Sequence, residues 1–106
     1  MKKYFLLSLL IVSISSANNL FNGKYMCNNK QVLEIKAQNL YIGNGMFKYY
    51  QDMKRPLVGT IEVFLKGNEA ALFSHQPNWK GHYSLNISNL QNKNEAPYVA
   101  DCIMIQ

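Results

Sequence analysis

From Lys24 onward, apolar and polar side chains alternate with a period of two, and clusters of Gly, Asn and Pro break the alternation roughly every eight to twelve residues. No stretch repeats apolar residues at helical spacing. Such a chain makes short antiparallel strands, which excludes a helical bundle and a parallel sheet with crossover helices. Lys24 to Cys27 puts Tyr25 and Cys27 on one face, and Gln31 to Lys36, after the Asn28-Asn29-Lys30 turn, sets Leu33 and Ile35 against Glu34 and Lys36. Leu40 to Ile42 and Met46 to Tyr50 flank Gly43-Asn44-Gly45, which reads as a three-residue hairpin loop. Thr60 to Lys66 sets Ile61, Val63 and Leu65, expected in the core, against Thr60, Glu62 and Lys66, with Phe64 on the nominally polar side. Gly67-Asn68 turns the chain into Ala70 to His75. Beyond the loop Gln76 to Gly81, Tyr83, Leu85 and Ile87 alternate with His82, Ser84, Asn86 and Ser88, and Tyr98 to Ile105 closes the series after a polar connection, Asn89 to Pro97.

The N-terminus follows a different rule. Met1-Lys2-Lys3 is a positive start, Tyr4 to Ile14 is apolar apart from Ser8 and Ser13, and Ser15-Ser16-Ala17 places small side chains before a cut. Residues 1–17 are therefore expected to be a secretion signal and 18–106 a single domain of 89 residues. The apolar run is too short to span a bilayer, and no cysteine follows the cut to carry a lipid, so no stable membrane anchor is expected. Loss of Lys2 and Lys3 lowers the formal charge from +5 to +3. The Asn-rich and Lys-rich composition suits a bacterium and a periplasmic or secreted destination.

Export carries the two cysteines, Cys27 and Cys102, into an oxidising space, where a disulfide is expected. A buried pair of free thiols is the other state; a redox pair fits least, because no C-x-x-C is present. The staple would contribute at most ~4.5 kcal/mol, enough to decide whether a domain this small stays folded. About eight strands are too many for one open sheet in so short a chain, and a disulfide between the first and last requires them to lie together. These constraints favour a small antiparallel eight-stranded barrel closed by one disulfide, with a two-layer sandwich as the alternative.

No catalytic residue, metal ligand set or cofactor is identified, and a non-enzymatic protein is expected. His75 and His82 are the only histidines, with no further ligand spacing around them. The two could approach each other across the Trp79 loop with Glu69 or Asp101 nearby. No serine lies in a Gly-x-Ser-x-Gly turn, and the acids are scattered singly. Apart from Lys54-Arg55 the cations of residues 18–106 are isolated and interspersed with acids, which argues against a nucleic-acid stripe. Tyr41, Phe47, Tyr49, Tyr50 and Phe64 could form a stacking platform, but alternation makes most of them core or cross-strand residues. Trp79, between Pro77 and Gly81, either plugs a barrel end or stands exposed to stack on a sugar or partner.

Two segments carry a family resemblance. Tyr25-Met26-Cys27-Asn28-Asn29 with Val32-Leu33, and Lys66-Gly67-Asn68-Glu69-Ala70-Ala71-Leu72 with Cys102 near the end, resemble the periplasmic and membrane-bound bacterial inhibitors of c-type lysozyme. The resemblance implies a disulfide-bearing eight-stranded barrel opened by a Tyr-x-Cys strand and marked by a Lys-Gly-x-Glu-Ala-x-Leu turn. It also implies an inhibitory turn at Lys66, Gly67 and Glu69, whose ammonium meets the carboxylates of the enzyme's cleft. The family's second contact, a serine in Ser-Gly-x-x-Tyr, has its nearest upstream counterpart at Val58-Gly59-Thr60-Ile61-Glu62, with Val58 in the serine position. The expected partner is thus c-type lysozyme. The alternative is a cell-envelope accessory protein that binds cell-wall glycan, peptidoglycan or lipopolysaccharide, through Trp79 and Lys80.

Overall fold

The computed structural model describes residues 20–106; the expected signal segment lies outside the described residues. Eight strands follow in chain order: β1 (Gly23–Cys27), β2 (Val32–Lys36), β3 (Asn39–Ile42), β4 (Gly45–Arg55), β5 (Gly59–Lys66), β6 (Glu69–His75), β7 (His82–Asn89) and β8 (Tyr98–Met104). There is no helix among the described residues. Each strand pairs antiparallel with the next, and β8 pairs back onto β1, so the sheet is a closed barrel rather than a sandwich.

The closing seam is a short ladder of Tyr25 with Met104, Met26 with Ile103 and Cys27 with Cys102. The cysteines face each other directly and form the disulfide, their Cα atoms 3.9 Å apart and both side chains buried. Main-chain bonds prolong the seam: the Lys24 amide donates to the Gln106 carbonyl at 3.0 Å and the Ile105 amide to the Lys24 carbonyl at 2.8 Å.

Alternation carries Tyr25, Leu33, Ile35, Leu40, Phe47 and Leu85 into the interior, as the pattern requires. At one end an aromatic cluster packs Tyr25 against Phe73 (4.8 Å between centroids) and Tyr83 (4.9 Å), with Phe73 and Tyr83 stacked. Phe21, just before β1, closes this end: it meets Phe73 edge-on at 5.5 Å, and its carbonyl accepts from the Tyr25 hydroxyl at 2.7 Å. Phe21 thus fills the place that one reading gave to Trp79. Burial pushes the Tyr25 phenol well above its ordinary range.

Three local expectations are corrected. β4 runs on to Arg55, because a bulge at Tyr50 shifts its register against β5 between Tyr49 and Gln51 and resets the alternation there. Glu62 and Phe64 face inward, with cross-strand partners Phe73 and Ala71, so Ile61 and Val63, assigned to the core by alternation, lie on the outer face. Both faces of β5 carry large apolar residues, and Ile61 and Val63 are buried even on the outer side, so the pattern alone could not choose. The third concerns Gly45: it pairs with Ile42 inside β4, leaving the two-residue turn Gly43-Asn44.

Between β2 and β3 the turn consists of Ala37 (φ 51°) and Gln38 (φ 70°), two non-glycine residues in the left-handed region. A two-residue hairpin with both central φ positive favours Asn-Gly. Ala37→Asn combined with Gln38→Gly is expected to stabilise the fold by about 1 kcal/mol, measured as a higher urea midpoint with unchanged slope.

Candidate functional site

The turns β1–β2, β3–β4, β5–β6 and β7–β8 gather at one end of the barrel, where a mouth of about 520 Å³ opens. Phe47, Ile42 and Ile87 line it, and Lys66, Glu69, Asn44, Gln31 and Tyr98 edge it. Each polar residue sits where a strand ends, so its side chain escapes the packed interior. Asn29 Nδ2 donates to the Tyr98 hydroxyl, and the Gln31 amide donates to Asn29 Oδ1 at 3.0 Å, tying two of these turns together. The Leu90 amide donates to the Asn68 carbonyl at 2.7 Å, so the polar β7–β8 connection braces the Lys66 turn from outside.

Lys66 ends β5 opposite Glu69, and Gly67 makes the turn with φ 58°, a conformation that glycine adopts without strain. The Lys66 ammonium lies 5.8 Å from the centre of the Phe47 ring, within cation–π range. It also lies over Gly45: a Cβ there would stand 2.6 Å from Nζ. The structure places Lys66, Gly67 and Glu69 on one turn and brings Asn44-Gly45 to the same mouth. Val58-Gly59, by contrast, stands at the opposite end of β5, seven residues from Lys66, about 23 Å at strand rise. Sequence reasoning missed the Asn44-Gly45 pair because only the β3–β4 turn, not proximity in the chain, carries it to Lys66.

Trp79 and Lys80 occupy the β6–β7 loop at the other pole, both exposed, with Trp79 at 56%. The indole does not plug the barrel; it stacks on the His82 ring with centroids 3.5 Å apart and planes at 16°. His82 Nδ1 is 2.7 Å from Asp101 Oδ2, and Gln76 Nε2 donates to Asp101 Oδ1 at 3.2 Å. Asp101 is thus the acid beside the Trp79 loop, whereas Glu69 lies at the opposite end of β6. His75 does not join His82; it packs against the rings of Phe21 and Tyr83. No group of three or more His, Cys, Asp or Glu that could hold a metal occurs among the described residues. Tyr41 and Tyr50 are exposed, while Phe47 and Phe64 lie in the core and Tyr49 packs against it. Comparison with known proteins found no matching family model, no matching curated protein and no matching solved structure.

Proposed function

We propose that the protein is an exported, non-catalytic binding protein that inhibits a c-type lysozyme by presenting Lys66 at the barrel mouth. The observation that carries this reading is the position of the Lys66 ammonium, above the Phe47 ring and Gly45, at the rim of an open cavity of about 520 Å³. A cation raised on a tight turn can enter an enzyme cleft and engage the paired carboxylates that cleave glycan. The Asn44 amide, on the adjacent turn, offers a neutral polar contact beside it, the part that the family resemblance gives to a serine. The disulfide is compatible with an oxidising compartment, and hence with a periplasmic or secreted location.

In a turnover assay with hen lysozyme and bacterial cell walls, the protein is expected to inhibit at micromolar concentration. Lys66→Ala should weaken inhibition by about 2–5 kcal/mol, the cost of removing one partner of a desolvated charge pair. Gly45→Ala, whose Cβ displaces the ammonium but leaves its charge in place, should weaken inhibition less. Undiminished turnover at micromolar excess of the unmodified protein would discard the reading.

A further inference from the structure

The outer wall of the barrel formed by β5, β6 and β7 is built differently from an ordinary soluble surface. The outward residues of β5, β6 and β7 are Ile61, Val63 and Leu65, then Ala70, Leu72 and Ser74, then His82, Ser84, Asn86 and Ser88. None is Lys, Arg, Asp or Glu. A groove of about 310 Å³ runs over them, with Ile61 and Leu72 as an apolar floor, Ser74, Ser84 and Asn86 as hydrogen-bonding groups, and Arg55 at one side. Cross-strand pairing continues this row from Ser74 to Ser84 to Asp101, and Asp101 holds His82, on which Trp79 stacks. A second hollow of about 230 Å³, lined by Met26, His82, Asp101 and Ile103, borders the same acid.

From this juxtaposition we infer that the outer face of β5–β8 binds an uncharged, N-acetylated oligosaccharide, with Trp79 as the platform on which one sugar ring stacks. One face of the indole is taken by His82, which is fixed by Asp101, itself fixed by Gln76. The free face is therefore held in place before a ligand arrives, which removes part of the ordering cost of binding. The hydroxyls and the Asn86 amide supply both donors and acceptors, as a polyhydroxyl ligand requires. The apolar floor accepts acetyl methyl groups. Arg55 and Asp101 balance each other at opposite sides, so the strip offers no concentrated charge for a phosphate-bearing polymer. From β8 to β5 it crosses three strand spacings, ~14 Å, long enough for a short run of linked sugars.

The test uses the disulfide-bonded protein and chitohexaose. Trp79 is the only tryptophan in the chain, so its fluorescence reports this site alone. A saturable change in emission, together with calorimetric binding that falls at least about tenfold in both Trp79→Ala and Ser84→Val, is the expected result. Ser84→Val leaves the indole in place, which separates groove contacts from stacking. Cellohexaose, lacking acetyl groups, should bind more weakly, and Lys66→Ala should bind unchanged, so the outcome is independent of lysozyme inhibition. No change in emission at millimolar chitohexaose, or binding that survives both substitutions, would overturn the inference; equal binding of cellohexaose would overturn the N-acetyl assignment.

Discussion

Reduction of the Cys27–Cys102 disulfide is expected to remove up to ~4.5 kcal/mol of stability and to lower the melting temperature by roughly 20–30 °C. The bond closes a loop spanning 75 positions, so the reduced unfolded chain regains nearly all of the freedom that the tether denied it. Position adds to length. The β1–β8 seam is the shortest ladder in the barrel, and both sulfurs lie buried in the core beside it. A single domain of this size has only about 5–10 kcal/mol in hand, so the loss takes a large share. Thermal melts with and without dithiothreitol, repeated on the Cys27→Ala, Cys102→Ala double variant, provide the measurement. A reduced protein that melts within a few degrees of the oxidised one would show that the strands hold the seam unaided.

Inside the barrel, Glu62 should make stability fall as pH rises. Its side chain is 1% exposed and its Oε2 has no hydrogen-bond partner. Burial, reinforced by the Asp52 carboxylate facing it from β4, raises its pKa from 4.5 to about 7. Asp52 in turn accepts from the Tyr49 hydroxyl at 2.9 Å, and burial together with that acid pushes the Tyr49 phenol up to about 12. A carboxyl with a folded pKa above its unfolded one binds its proton more tightly in the fold. Its contribution is therefore complete below pH 4.5 and is lost as pH climbs through about 7. The size of that contribution is about 3 kcal/mol, or roughly 10–20 °C in melting temperature. Glu62→Gln removes the ionisation while keeping the shape, so its melting temperature should decline much less than that of the unmodified protein between pH 5 and pH 8. Parallel declines in the two proteins would place the pH dependence elsewhere.

The sequence made most of this architecture legible where one strand face was clearly polar. Leu33 and Ile35 against Glu34 and Lys36, and Leu85 and Ile87 against Ser84 and Asn86, allow a single orientation each. The expected secretion signal made a disulfide the expected state of Cys27 and Cys102, and that bond favoured the closed sheet. β5 resisted because Ile61, Val63 and Phe64 are all apolar, and only its register against Ala71 and Phe73 decides which side turns inward. The bulge at Tyr50 leaves no sequence mark such as glycine or proline, and the Ala37-Gln38 turn lacks the residues that usually announce one. In the candidate site, Lys66, Gly67 and Glu69 were recognisable as a turn motif. Asn44-Gly45 was not, since its relevance comes from Gly45 lying under the Lys66 ammonium and Asn44 lining the same mouth. The brace of Trp79 on His82 and Asp101 joins residues far apart in the chain, beyond the reach of any local pattern.

Both ends of the described chain depart from the same pole. Gln106 is bonded to Lys24 at the start of β1, whereas the Lys66 turn caps the far pole. A fusion partner, an affinity tag or a coupling to a solid support attached after Gln106 would consequently join the barrel at the pole away from its Lys66 rim.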